Sequence, residues 1–223
     1  MSELSVVLVN HDGADVLPRA LDALARNTSC EDFEVVVVDS ASSDGSWEGL
    51  DGARVVRFED NVGFAAGCNA GARAAEGTLV AFVNFDGEVE PGWDEPLRAL
   101  LADPGVSIAT GLLLRPGGEE LEAAGLAIAP NTATFGLKEG EPRSAAPAGP
   151  VEVAAASGAL TMVRREEFLA LGGFYEPIWM YGEEADLALR VPGRIVLHPG
   201  SALRHEMGHA SGPLRSRLRL YWP

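Results

Sequence analysis

Residues 4–10 read LSVVLVN, and residues 33–38 read FEVVVV and run into Asp39. Each has a short apolar core without polar alternation (6–9 and 35–38), as expected of strands buried on both faces of a parallel sheet. Between them Leu17, Leu21 and Leu24 recur at helical spacing, with Pro18 tolerated in a first turn. The alternation continues outward. Polar residues 40–46 lead to a short helix around 47–50, a third strand over 53–58 and an alanine-rich helix over 63–75. A fourth strand over 78–83 ends in Asn84-Phe85-Asp86-Gly87, followed by a helix over 93–101 and a fifth strand over 106–114. Strands alternating with helices of this length imply right-handed crossovers and an α/β fold, Rossmann-like, with a mostly parallel central sheet flanked by helices.

Beyond Arg115 the character changes. Residues 116–150 are rich in Gly, Pro, Ala and Glu with weak periodicity, and read as a surface excursion with one hairpin. Order returns over 151–163, followed by a helix over 165–171, a helix over 183–190, a short strand over 195–198 and a polar tail from Ser201. The organisation is one domain: a first half over 1–115, the excursion over 116–150, and a second half with the tail over 151–223.

The chain has 223 residues, with 33 Asp and Glu against 17 Lys and Arg and a formal net charge of −16. That balance excludes a nucleic-acid partner, which requires a basic footprint. It also disfavours broad docking on anionic membranes and leaves only peripheral contact through a local basic patch. Two cysteines, Cys30 and Cys68, supply neither a disulfide framework nor a four-thiolate zinc site. No run resembles a signal peptide or approaches the ~20 apolar residues of a membrane span. The expectation is a soluble, cytoplasmic protein.

In an open parallel sheet, ligands bind at the carboxyl ends of the strands. Three such ends carry polar side chains: Asn10 and His11, then Asp39, then Asn84 and Asp86. Together they suggest a nucleotide, with one acid for ribose or base and another for a divalent metal on a diphosphate. Singly, each is equally read as a turn or helix cap. Neither G-x-G-x-x-G after the first strand nor a P-loop is present, which removes support for ordinary dinucleotide and P-loop chemistry.

Five blocks in order resemble the family 2 glycosyltransferases of GT-A fold, in particular bacterial rhamnosyltransferase-like members. They are VVVVDSASSDGS (35–46), NVGFAAGCNAGARAAEG (61–77), FVNFDGEVEPG (82–92), GALTMVRREEFLALGGFYE (158–176) and MYGEEADLALR (180–190). The resemblance implies an inverting, metal-dependent transfer of a sugar from a UDP- or dTDP-linked donor to a hydroxyl of a carbohydrate, lipid-linked or small-molecule acceptor. It implies that Asp39 contacts the donor's base or ribose, that Asn10 lines that pocket, and that Asn61, Gly63 and Asn69 pack beside the nucleotide. Asp86 matches the last acid of the DXD-type motif that holds Mg2+ or Mn2+ on the diphosphate. Asn84 stands at the motif's first position, leaving one strong carboxylate. His205 is similar to a late histidine that adds a ligand to that metal.

The same resemblance puts the catalytic base at Glu184, where the family carries Asp, with Glu183 and Asp186 as alternatives. Glutamate reaches about one methylene further, a difference to which near-attack geometry is sensitive. Acids at a helix start also complement its dipole. Phe174 and Trp179 are read either as acceptor-side faces or as core anchors. Arg215, Arg217 and Arg219 are read either as closing over the diphosphate or as a solvated face. Two readings stand against the enzyme: a catalytically silent nucleotide- or partner-binding domain, suggested by Asn84 and Glu184, and a zinc protease, suggested by His205-Glu206-Met207-Gly208-His209. The protease motif requires a stable helix, which Gly208 and Gly212-Pro213 oppose.

Overall fold

The computed structural model describes residues 2–206. In chain order the strands are β1 (Leu4–Asn10), β2 (Phe33–Ser40), β3 (Ala53–Phe58), β4 (Leu79–Val83), β5 (Gly87–Val89), β6 (Val106–Leu114), β7 (Leu121–Ala123), β8 (Leu126–Ile128), β9 (Thr134–Gly136), β10 (Val151–Glu152), β11 (Leu160–Arg164) and β12 (Arg194–His205). The helices are α1 (Leu17–Asn27), α2 (Gly63–Ala74), α3 (Asp94–Leu101), α4 (Arg165–Ala170) and α5 (Glu183–Arg190).

The central sheet runs β10-β12-β6-β11-β4-β1-β2-β3, with β5 added to β12 and β7 to β6. Strands β3, β2, β1 and β4 are mutually parallel. β11 enters antiparallel between β4 and β6, and β12 resumes parallel pairing with β6. Parallel pairing of β1 with β2 and β4 brings Asn10, Asp39 and the Asn84–Asp86 turn to one rim.

Each face is covered by helices. On one side Leu17, Ala20 and Leu24 of α1 and Trp93, Leu97 and Leu101 at α3 pack on Leu4, Val6 and Leu8. On the other, Ala65, Cys68 and Ala72 of α2 meet Val7, Val36 and Val38, and Phe82, Phe168 and Phe174 cluster beside them. The alanine and glycine content of α2 follows from its closeness to the sheet: a Cβ at Gly71 would stand 2.3 Å from Val7 Cγ1. Phe174 is a core anchor, with its ring centroid 5.3 Å from both Phe82 and Phe168.

Three local expectations change. Residues 47–50 form a turn rather than a helix, because Gly45 and Gly49 adopt φ of 78° and 65°, which ends helical propagation. β12 is far longer than the expected strand at 195–198. It crosses Pro199, which has no N–H to give a ladder, through an irregularity between Leu197 and Ala202, and resumes pairing to Arg204. The 116–150 segment does carry the β8–β9 hairpin. It does not lie wholly on the surface, since Leu121, Ala123, Ala124 and Leu126 are buried and β7 joins the sheet.

Candidate active site

At the rim, Asn10 and Asp39 are register partners across β1 and β2. Asn10 Nδ2 faces Asp39 Oδ1 at 3.1 Å, Ser42 Oγ at 3.1 Å and Ser46 Oγ at 2.8 Å. Its Oδ1 is buried with no hydrogen-bond donor. Asp39 is fully buried. It accepts from the Ser42 N–H, and Arg57 Nε lies 3.5 Å from its Oδ2. The Arg57 guanidinium in turn covers the Trp47 ring at 3.7 Å. Asp39 thus lies at the carboxyl end of β2, beneath Arg57.

Asn61 is exposed and serves the start of α2: its Oδ1 accepts from Ser40 Oγ at 3.1 Å and the Gly63 N–H at 3.0 Å. Gly63 has φ 77°, and a Cβ there would lie 2.5 Å from the Trp179 ring. The Trp179 carbonyl accepts the Phe64 and Ala65 N–H groups, so Trp179 closes this helix end. Asn69 does not join the rim. Its amide donates to the Phe174 carbonyl and Glu176 Oε1 and accepts the Phe174 N–H at 2.9 Å. With both ends of the amide engaged, Asn69 is a buried clamp between α2 and the 173–176 segment.

The turn after β4 and the end of β12 form the second group. His205 Nε2 lies 3.2 Å from Asp86 Oδ1 and 3.0 Å from Asn84 Nδ2. Its Nδ1 faces both oxygens of Glu122, at 3.0 and 3.1 Å. Burial disfavours the charged imidazole, but hydrogen bonds to Asp86 and Glu122 outweigh it, and its pKa is pushed up to about 9. Asp86 Oδ1 is buried without a well-formed hydrogen bond. A buried carboxylate oxygen beside an imidazole nitrogen suits a divalent cation. Among the described residues no group of three or more His, Cys, Asp or Glu forms a self-contained cage. A cation held here would therefore complete its shell with ligand oxygens.

The third group opens α5. Glu183 is buried with Oε2 unpartnered. Burial, reinforced by the charge of Glu184, raises its pKa to about 8. Glu184 is half-buried. Its Oε1 accepts from Thr134 Oγ1 and its Oε2 from the Gly182 N–H, both at 3.0 Å. Asp186 is engaged structurally: its Oδ2 takes Arg190 Nε and Nη2 at 2.9 and 2.6 Å, while Arg190 also holds the Leu171 and Gly173 carbonyls. Asp186 is thus tied to Arg190 through Oδ2. A short chain of contacts joins the second and third groups. The Asn84 N–H donates to the Ala159 carbonyl at 3.1 Å. A Cβ on adjacent Gly158 would sit 2.8 Å from the Phe64 ring and 3.8 Å from Glu183 Oε1.

His205 ends a strand, not a helix, which contradicts the zinc-protease reading of His205 and Glu206. His209, Arg215, Arg217 and Arg219 lie outside the described residues. Sequence reading missed Glu122 and Thr134, which sit in a segment of weak periodicity and belong to no motif.

The model of the family described as Glycosyl transferase family 2 matches residues 5–167. The chain belongs to that family. It is 28% identical over 207 residues to the O-antigen biosynthesis protein RfbC of Myxococcus xanthus, covering 85% of this chain and 16% of that protein. It is 36% identical over 109 residues to a validoxylamine A glucosyltransferase of Streptomyces hygroscopicus subsp. jinggangensis, covering 45% of this chain and 26% of that protein. The chain thus spans about a quarter or less of these relatives. The crystal structure of GalNAc-T7 with UDP, GalNAc and Mn2+ superposes with a TM-score of 0.75 at 20% identity, over 92% of this chain and 44% of that one. The fold is that of the GT-A glycosyltransferases. Among the described residues no helix is long and apolar enough to cross a membrane.

Proposed function

We propose that this family 2 chain is an inverting, metal-assisted glycosyltransferase. It moves a sugar from a UDP- or dTDP-linked donor to a hydroxyl of a glycan, lipid-linked or small-molecule acceptor. The observation that carries this reading is the adjacency of the Asn84–Asp86–His205 group and the Glu183–Glu184 pair across Gly158 and Ala159. Relatives named for O-antigen biosynthesis and for glucosylation of validoxylamine A support the acceptor classes.

Asp86 and His205 would hold the cation, which when bound neutralises charge on the departing diphosphate. Glu184 accepts the acceptor's proton as the acceptor oxygen bonds to the anomeric carbon and the carbon–phosphate oxygen bond breaks on the opposite face. One displacement inverts that carbon and requires no enzyme nucleophile. Thr134 and the Gly182 N–H hold the Glu184 carboxylate. Glu183, with its pKa raised to about 8, keeps its proton at neutral pH and spares the site a second adjacent charge. For Asp39 to meet a nucleobase, Arg57 must swing off its carboxylate.

The test is thermal shift with UDP-glucose, UDP-N-acetylglucosamine and dTDP-rhamnose, with and without Mn2+, followed by UDP or dTDP release. Mn2+-dependent binding with turnover supports the proposal. Binding without turnover, to any acceptor, supports the silent domain instead.

A further inference from the structure

Glu122 stands in the strand-poor segment between β6 and β10 that no motif covers. β7 pairs with β6 through Leu121↔Leu114 and Ala123↔Leu113. Leu113 and Leu114 are consecutive, so Glu122 is the one residue of β7 without a ladder partner. A bulge of this kind re-aims a side chain, and Glu122 is aimed at His205. Leu121 and Ala123 on either side are buried in the apolar core, which anchors the bulge. The hairpin presses on its back: a Cβ at Gly136 would stand 2.6 Å from the Glu122 carbonyl oxygen.

Both carboxylate oxygens of Glu122 lie within 3.1 Å of His205 Nδ1, and the two side chains are only 15% and 12% exposed. A carboxylate has only acceptors to offer, so Nδ1 carries the proton and donates it. With Nδ1 committed to Glu122, Nε2 is the ring nitrogen left to bind a cation; it faces Asn84 Nδ2 at 3.0 Å and Asp86 Oδ1 at 3.2 Å. An imidazole nitrogen and a buried carboxylate oxygen this close suit a single divalent cation.

We infer that Glu122 is the positioning residue that fixes the tautomer and aim of His205, so that Nε2 and Asp86 present themselves jointly to a divalent cation. The inference rests on the metal reading proposed above. Outer partners of this kind are worth about 10–100-fold in metal affinity.

The test is Mn2+ titration in the presence of UDP, followed by the free-ion electron paramagnetic resonance signal, with pulsed detection of 14N coupling from a bound imidazole. Glu122→Met, similar in length but unable to accept the Nδ1 hydrogen, is expected to weaken Mn2+ about 10–100-fold and to diminish the 14N coupling. Glu122→Gln keeps an acceptor oxygen and is expected to stay within about threefold of the unaltered protein. Unchanged affinity and coupling in Glu122→Met would overturn the inference. So would a more than tenfold loss in Glu122→Gln, the arm that decides should Glu122→Met not fold. A separate outcome identifies failure of the metal reading itself: no 14N coupling in the unaltered protein and undiminished Mn2+ binding in His205→Ala.

Discussion

Raising the pH of the metal-free protein is expected to loosen it through His205. The ring is enclosed by Asp86, Glu122 and Asn84, and its pKa stands at about 9 against about 6.5 for a histidine in an unfolded chain. A folded-state pKa raised above the unfolded value stabilises fully below about pH 6.5, and that stability is lost as pH rises through about 9. At about 1.4 kcal/mol per pH unit of difference, the loss is ~3 kcal/mol. For a domain of this size it corresponds to roughly 6–12 °C in melting temperature. Glu183 acts in the same direction. With a pKa of about 8 in the folded protein, it binds a proton that an unfolded glutamate has already released, so its contribution fades between about pH 4.5 and 8. The two must therefore be separated. Thermal unfolding of the unaltered protein and of His205→Gln, in a metal chelator and across about pH 6 to 9.5, gives a difference curve from which Glu183 cancels. That curve should fall steadily over the window. Saturating Mn2+, which takes the place of the Nε2 proton, should flatten it. A difference curve that stays level in chelator would refute the ionic account of this cluster.

Glu184→Gln should leave Mn2+-dependent UDP binding intact and lower donor turnover by about 10²–10⁴-fold; turnover at the unaltered rate would reject the base assignment. Asp86→Ala should abolish the additional thermal stabilisation that Mn2+ gives to the UDP complex, read by the same thermal shift. Thr134→Val should reduce kcat about tenfold with little change in donor KM, since it removes one of two donors to Glu184, whereas Thr134→Ser should restore most of the rate. Asn69→Leu should lower the midpoint of denaturant unfolding, because the Phe174 N–H and carbonyl lose buried partners at ~1–3 kcal/mol each.

The parallel strands are readable because residues 6–9 and 35–38 are apolar without alternation, and only a strand covered on both faces tolerates that. The rim followed from the same reading, since strands running side by side must end side by side. β11 was harder to place. Its direction depends on the long excursion before it, and nothing local to LTMVR distinguishes a parallel from an antiparallel neighbour. β12 was cut short at His198 because Pro199-Gly200 reads as a stop, although the strand resumes with Ala202 and Leu203 buried. Glu122 left no trace in the pattern. A bulged glutamate on a three-residue strand has the local composition of a loop, and its role exists only once β12 brings His205 alongside.

The partners of each acid bear on the proposed base assignment independently of motif position. Glu183, Glu184 and Asp186 sit within four consecutive residues at one helix start, and by dipole alone they are interchangeable. Their partners divide them. Asp186 is neutralised by Arg190, whose remaining donors hold two backbone carbonyls, so moving a proton there would release the loop at Gly173. Glu183 is buried without a cation, so it binds a proton more tightly than an exposed glutamate and is ill suited to take another from an alcohol near neutrality. Among the described residues Glu184 is held by two neutral donors and no cation. These orient its carboxylate yet leave lone pairs free for a proton to arrive. Asn69 and Asp39 obey the same rule on the donor side. The amide of Asn69 has both its N–H donors and one acceptor position engaged by the 174–176 segment. Asp39 faces the Arg57 guanidinium, itself resting on Trp47, alongside Asn10 and the Ser42 N–H, so in the proposed donor pocket a base would have to replace the Arg57 contact.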